Sequence, residues 1–463
     1  MEKTYHVLLL PFPAQGHINP ILQFGKILVS KGFNITLATT VFLSKSIPPQ
    51  DFNFKIELIS DGFDETGWNG SQTHTGKHLI ATFKETGSRT LAALIKKYEH
   101  LDPITCLVCD SILPWGLDVG KESGLVTVSF FTQPCAASTV VYHVTQGNLR
   151  IPVEEPTVCL PCLPELALQD LPTSLTTVQP PESTALDLLL GQFSSVENAD
   201  WLFFNSFDEM EGDAMNLLGE LGRVRMIGPT LLYLRLRDKR NEGEAVLNLF
   251  KPSDGNYMKW LDGKEPGSVV YISFGSNTEL GEEQMKELIM GIKQSNKNFL
   301  WVVREKEQSK LPDGFAEEMA DKGLLVTWCS QFDVLAHKAI GCFLTHCGWN
   351  STMEALSLGV PMVAMPHLWD QPTTAKFIED VWKSGIRVKK DDKGIVRGEE
   401  VESCIRKVMD SERGEIIRMN ATRWGKLAKE AVEEGGSSDF NLAEFVASIS
   451  YTLYIEKFNV SNC

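Results

Sequence analysis

Short apolar runs alternate along this chain with segments whose apolar positions fall three and four apart, and a glycine or polar turn separates the two. The first run is His6–Leu10. After a loop through Gly16, residues Ile18, Ile21, Leu22, Gly25, Leu28 and Val29 keep helical spacing, and Pro20 suits the first turn of that helix. Further strands are predicted over 105–109, 125–131 and 201–205. The alternation starts afresh at 268–274, turns at Gly275-Ser276 into a helix with Met285, Leu288, Ile289 and Ile292 on one face, and continues with a strand over 299–303. Late helices are predicted over 399–409 and 413–432, and a final amphipathic segment around 442–449 follows Gly435-Gly436-Ser437-Ser438. Repeated strand-then-helix units of this kind specify an α/β fold with parallel sheets.

At 463 residues the chain exceeds a typical domain of ~100–200 residues, which argues for two α/β units, each with its own core. Arg235, Arg237, Asp238, Lys239, Arg240, Asn241 and Glu242 make 231–253 charged and weakly periodic, the character of an interdomain linker. The expected boundaries are a first domain over 1–240, a second over 241–440 and a terminal segment over 441–463. The stretch 151–181 is rich in Pro and Thr, shows neither period, and reads as loops rather than core.

Chemistry-bearing residues concentrate over 328–371. There, strands predicted over 324–327, 340–345 and 361–365 alternate with helices over 333–337 and 350–358. His346-Cys347-Gly348-Trp349-Asn350-Ser351 leads from a strand into a helix, where the first amides lack intrahelical partners and the helix dipole favours an anion such as a diphosphate. Glu354, at i+4 from Asn350, can accept from both hydroxyls of a ribose. Trp328 offers a flat face for a base, and Asp370 and Gln371 offer acceptors and donors for the hydroxyls of a hexose. All these groups fall at the carboxyl ends of successive strands, where parallel sheets bind ligands. Singly, each residue type is more often structural; together, at these spacings, they describe a nucleotide-sugar site.

The run over 328–371, from Trp328-Cys329-Ser330-Gln331 to Leu368-Trp369-Asp370-Gln371, resembles the signature box of the plant family 1 UDP-dependent glycosyltransferases, and weaker similarity extends over most of the chain. The resemblance implies the GT-B architecture: two Rossmann-like βαβ domains facing across a cleft, the first binding the acceptor and the second the UDP-sugar, with a C-terminal helix crossing back to the first domain. It implies that Trp328 stacks on uracil and that Gln331 and Glu354 contact the ribose. His346, Asn350 and Ser351 would hold the diphosphate, with Ser276 as a second contact, and Cys329 falls within the same donor-binding set. Trp349, Asp370 and Gln371 would address the sugar, and a final Gln is associated in this family with glucose donors. The family usually has an aromatic two places before the Asp and a small residue immediately before it. Here the order is His367-Leu368-Trp369-Asp370, so the bulk of Trp369 bears on the sugar or acceptor pocket. The loops of 151–181 would lie on the acceptor side.

A sugar nucleotide already carries a good leaving group, so transfer needs an activated acceptor oxygen, a stabilised departing diphosphate and exclusion of water. His17, in Gln15-Gly16-His17 between the first strand and the first helix, is the candidate base, and an unperturbed pKa of ~6.5 suits proton abstraction near neutrality. Asp110, at the end of an apolar strand, can orient the imidazole and stabilise the imidazolium. A histidine at a helix start and an aspartate before Ser111 can equally be structural caps. Both positions match the catalytic His and Asp of the family that the chain resembles, and Thr132 matches a position that contacts the transferred sugar. No D-x-D pair is present to hold a cation on the diphosphate, so no metal is expected; the helix start at Asn350, with His346, would supply the compensating positive potential. The resemblance implies a single in-line displacement that inverts α-linked UDP-glucose, a co-substrate, into a β-glucoside on a terpenoid, steroid or phenolic hydroxyl. Glucose-ester formation on a carboxylic acid is the alternative.

Charge and composition narrow the rivals. A net charge of −16 with pI ≈ 5.1 opposes binding to nucleic acid or an anionic membrane. The first residues lack the features of a signal peptide, and no apolar run is long enough to span a bilayer, so a cytoplasmic protein, monomeric by default, is expected. Of the ten cysteines, Cys106/Cys109 and Cys159/Cys162 form CxxC pairs; the first lies inside a strand, where an offset of three puts the thiols on opposite faces, and core thiols are expected rather than zinc. Pro11-Phe12-Pro13-Ala14-Gln15-Gly16 in place of G-x-G-x-x-G argues against an NAD-dependent dehydrogenase. A non-catalytic sugar-nucleotide binder would have no use for both His17 and Asp110.

Overall fold

Strands that are apolar at every position must be covered on both faces, and helices do this in both sheets of the protein. The structure, a computed structural model, describes residues 5–47, 54–68, 76–177, 184–237 and 256–460. Two units divide the chain: Met1–Glu165, Ser174–Leu249 and Glu430–Cys463 form the first, and Leu166–Thr173 with Phe250–Lys429 form the second.

The first unit holds a seven-stranded sheet in the spatial order Lys55–Ile59, Asn34–Thr40, His6–Leu10, Cys106–Asp110, Val126–Phe131, Trp201–Phe204, Val224–Met226. Every pairing is parallel, with Val7 opposite Ile35 on one side and Cys106 on the other. His6–Leu10 is buried throughout. The helix Gln15–Ser30 lies close on it: a Cβ on Gly25 would come within 2.5 Å of Leu9 Cδ1, so any larger residue there would have to displace the Leu9 side chain. Pro20 falls in the interior of this helix rather than its first turn, because the helix begins at Gln15, earlier than the apolar spacing suggested. Cys106 and Cys109 are buried thiols, whereas Cys159 and Cys162 are exposed and therefore not core; all nine described cysteines are free.

The helix Ser437–Val460 belongs to the first unit. Its Phe445 is fully buried among Trp201, Phe203 and Phe24, with ring centroids 5.6, 4.9 and 6.1 Å away, and Glu444 takes two hydrogen bonds from Arg225 at 2.7 and 3.0 Å. Part of the expected linker is ordered in the same unit. Thr230–Arg237 is a helix whose Tyr233 and Arg237 both donate to Asp439 at 2.8 Å, so its charges serve a packed surface; 238–255 lie outside the described residues.

The second unit repeats the winding with six parallel strands: Gly323–Val326, Asn298–Val302, Val269–Ser273, Ile340–Thr345, Met362–Ala364, Gly385–Arg387. Its core gathers Val270, Ile272, Leu288, Ile292, Phe299, Trp301, Leu344 and Val401 from the sheet and its covering helices. In both sheets the strand first in sequence lies beside the fourth. Chain direction across the sheet reverses there, which opens a crevice beyond the strand ends. The stretch 151–177 is more ordered than its composition suggested: Leu166–Ala167, a 3-10 turn at Leu168–Asp170 and a short helix Thr173–Thr176 follow one another, and Leu166–Thr173 packs in the second unit. Among the described residues, no helix is long and apolar enough to cross a membrane.

Candidate active site

The switch point of the first sheet brings His17 and Asp110 together. His17 follows the first strand, Asp110 ends the fourth, and Nδ1 of His17 lies 2.9 Å from Oδ2 of Asp110. The carboxylate is fully buried and also accepts from the amides of Phe12 at 3.3 Å and Ile112 at 3.1 Å, while the imidazole stays partly exposed. An ionised carboxylate only accepts, so the proton between the two belongs to Nδ1, and Nε2 is the basic nitrogen of the neutral ring. Thr132 Oγ1 lies 3.0 Å from the same Nδ1, which places Thr132 against the imidazole.

An apolar cavity of about 180 Å³ adjoins this pair, lined by Phe12, Trp68, Phe83, Ile112, Leu113, Trp115 and Leu188, with Lys84 and Asp187 as its charged members. Phe12 touches both, with its ring edge-on to His17 at 5.4 Å and to Trp68 at 5.7 Å. The volume is of the order of a ~150 Å³ cavity that accepts one benzene ring.

The switch point of the second sheet gathers most of the remaining candidates. Val269–Ser273 runs into Gly275-Ser276, and Ile340–Thr345 runs into His346 and the helix Trp349–Ser357. The His346 ring is wedged between two glycines: a Cβ on Gly275 or Gly348 would come within 2.5 or 2.4 Å of its Nε2. Its Nδ1 is buried with no hydrogen-bond partner. Burial pushes the imidazole down to about 4, the charges of His367 and Arg304 add to the effect, and a hydrogen bond to the Ser273 backbone opposes it. The ring is therefore neutral at pH 7. Positive potential at this turn comes from the helix terminus, contrary to the expectation that His346 adds to it.

That depression has a consequence for stability. Unfolded, the same histidine has a pKa of ~6.5, so between ~6.5 and about 4 the unfolded chain holds a proton that the folded chain does not. The contribution is complete above pH ~6.5 and is lost as pH falls towards 4, by about 3 kcal/mol in all. The urea midpoint should fall from about pH 7 to about pH 5, and His346→Gln should flatten that dependence.

Gln331, Ser351 and Glu354 meet directly: Gln331 Nε2 donates to Ser351 Oγ and Glu354 Oε2, each at 3.0 Å. Trp328 is half-buried just after Gly323–Val326, and Cys329 is buried. Trp349 is buried at the start of the helix Trp349–Ser357, its ring tilted against Trp382 with centroids 6.2 Å apart. Asp370 stands at the start of the helix Gln371–Lys376, and Gln371 Oε1 accepts from the amides of His367 and Leu368, each at 2.9 Å. The NH₂ end of Gln371 takes no part in these two bonds. Trp369 is 41% exposed beside them. Among the described residues, no group of three or more His, Cys, Asp or Glu is placed to hold a metal ion.

Sequence reading missed three members. Tyr271 is buried with its hydroxyl 3.4 Å from Gln331 Oε1 and 3.5 Å from Cys329 Sγ; strand alternation marks it only as core. Arg304 and Glu307 form a buried ion pair at 2.9 Å that grips the loop carrying Ser276. Arg304 donates to the carbonyls of Ser276 and Thr278, and Glu307 accepts from the Leu280 amide at 3.1 Å. The position of Arg304 just past a strand end was the available signal. Arg304→Met leaves the buried Glu307 carboxylate with only the more distant Lys310, 3.9 Å away, so a stability loss of about 3 kcal/mol, the low end for a broken buried pair, is expected in urea unfolding.

Comparison with known proteins settles the class. A family model described as UDP-glucoronosyl and UDP-glucosyl transferase matches residues 251–429. Mogroside I-E synthase of Siraitia grosvenorii is 47% identical over 461 residues, covering 98% of this chain and 100% of that protein. The chain belongs to the UDP-glycosyltransferase family. UDP-glycosyltransferase 74F2 of Arabidopsis thaliana is 46% identical, covering 97% and 99% of the two chains. Among solved structures, Os79 of O. sativa in complex with UDP aligns with a TM-score of 0.88 and 40% identity, covering 96% of this chain and 100% of that one; Os79 has also been crystallised with U2F and trichothecene. The two Rossmann-like sheets of this UDP-glycosyltransferase are thus those of the GT-B class, and its switch-point residues belong to an enzyme that uses UDP-sugars.

Proposed function

We propose that this protein is an inverting UDP-glucose-dependent O-glucosyltransferase that acts on a hydroxyl of a small lipophilic metabolite. The observation that carries the reading is the His17 Nδ1 to Asp110 Oδ2 contact of 2.9 Å beside an apolar, aromatic-lined cavity. Nε2 of His17 takes the proton of the acceptor hydroxyl as that oxygen bonds to C1 of the sugar; the bond from C1 to the diphosphate oxygen breaks, and UDP leaves with the electron pair. Asp110 stabilises the imidazolium that forms. On the donor side, Trp328 stacks on uracil, Gln331 and Glu354 take the ribose, and Cys329 lines that end with Tyr271. Ser276, His346, Asn350 and Ser351 meet the diphosphate, with the helix start at Trp349 providing amides. Asp370 accepts from sugar hydroxyls and Gln371 donates through its NH₂ group. Two relatives, 47% and 40% identical, bear on the acceptor: one is named Mogroside I-E synthase, and Os79 was crystallised with a trichothecene.

Lys84 on the cavity wall favours a second reading, glucose-ester formation on a carboxylic acid, whose carboxylate it would attract. Incubation of the purified protein with UDP-glucose and a panel of alcohols, phenols and carboxylic acids, read as a mass gain of one hexose, separates the two. Hexosylated alcohols or phenols support the first reading and hexosylated acids alone the second; UDP-glucose bound without any product would point to a different donor sugar or a non-catalytic binder.

A further inference from the structure

The segment Leu166–Thr173 belongs to the second unit although the stretches on either side of it in sequence, Met1–Glu165 and Ser174–Leu249, belong to the first. What holds it there is unusually polar for so short a piece. Asp170 is buried, accepts from Arg387 Nη1 at 2.5 Å and from its own Ala167 amide at 2.9 Å, and lies 3.7 Å from Lys376 Nζ. Arg387 also donates to the Gln169 carbonyl at 2.7 Å, and Thr373 Oγ1 donates to the Asp170 carbonyl at 2.7 Å. Thr173 makes a two-way pair with Trp369: its amide donates to the Trp369 carbonyl and its Oγ1 accepts from the Trp369 amide, both at 3.0 Å.

These bonds converge on the residues that flank Asp370 and Gln371. Trp369, immediately before them, has φ +60, a left-handed conformation that bulky side chains rarely adopt and that persists only where neighbours hold it. Thr173 fastens both backbone groups of that residue. Thr373 and Lys376, immediately after, stand on the helix Gln371–Lys376 and are fastened by Asp170. The loop is thus tied on both sides of the two side chains, and Gln371 is tied within it through Oε1.

We infer that Asp170 and Thr173 are positioning residues for the donor sugar, setting the angle at which Asp370 and Gln371 meet its hydroxyls and hence the choice among hexoses. The inference rests on the proposed role of those two side chains. UDP lacks the sugar, so its affinity should not sense the clasp.

Thr173→Val keeps the volume and the backbone bond but removes the Oγ1 acceptor. The Michaelis constant for UDP-glucose should rise by about tenfold, the order of one lost hydrogen bond, and the kcat/KM preference for UDP-glucose over UDP-galactose should narrow by a similar factor. The Kd of UDP by calorimetry should stay within about twofold, and Thr173→Ser should restore both kinetic values. Asp170→Asn should act in the same direction with a lowered unfolding temperature. Unchanged sugar kinetics in Thr173→Val, or a parallel loss of UDP affinity, would overturn the inference. Asp370→Asn and Gln371→Ala provide the separation: if they alter KM and hexose preference while Thr173→Val does not, the clasp alone fails. If they too leave both unchanged, the proposed sugar contacts fail with it.

Discussion

His17→Ala should reduce kcat/KM on an alcohol acceptor by about 10²–10⁴-fold, the usual contribution of a positioned general base, while the protein remains folded. The imidazole is partly exposed, so its removal empties little core. The loss should depend on the acceptor. An aliphatic alcohol keeps its proton until the transition state and needs Nε2 throughout, whereas a carboxylic acid is already ionised at neutral pH and should lose far less. Asp110→Asn should follow the same acceptor dependence, because a neutral amide neither fixes the tautomer nor stabilises the imidazolium. Progress curves at saturating UDP-glucose, with one alcohol and one acid, check this directly. Near-full activity of folded His17→Ala on the alcohol would remove the base from the mechanism.

Gly348→Ala should have the second large effect, on the donor side alone. The residue has φ −61, where any side chain is allowed, so the substitution adds only a clash of 2.4 Å against His346 Nε2. Gly275→Ala adds a contact of 2.5 Å and, at φ +72, backbone strain of about 1–2 kcal/mol. Either change must push the imidazole off its place at the start of the helix Trp349–Ser357. A displacement near 1 Å can cost about 10²-fold, so kcat/KM for UDP-glucose should fall by roughly that factor in Gly348→Ala and further in Gly275→Ala. The Michaelis constant for the acceptor should hold. If donor kinetics are unchanged in both variants, His346 has no part in holding the diphosphate.

Much of this arrangement was legible in the chain because its information is local. Strand runs and the glycine turns after them each occupy a few consecutive residues, and parallel sheets place strand ends where ligands bind, so His17, Asp110, Ser351 and Glu354 could be singled out as candidates before any coordinates, while Gln331 came from the family resemblance of the box over 328–371. What escaped depends on distant partners. The packing of Trp349 against Trp382 is one such contact, since nothing in the local pattern names the second ring. Arg304 and Glu307 resemble ordinary surface charge until the loop of Ser276 closes over them. The allegiance of Leu166–Thr173 is set by Arg387 and Trp369, about 200 residues away, which no period or composition reports. The charge at His346 was misjudged for the same reason: burial is a property of the fold, not of the residue.

The order in which the two units can be finished follows from where their pieces lie in the chain. Phe24, Trp201 and Phe203 leave the ribosome early, but Phe445, which covers them, comes 242 positions after Phe203. At ~5–20 residues per second that interval is roughly 10–50 s. The second unit is complete once Lys429 has emerged, so the unit begun first is the one closed last. A nascent chain halted before Ser437 would carry a finished second unit beside an uncovered aromatic face.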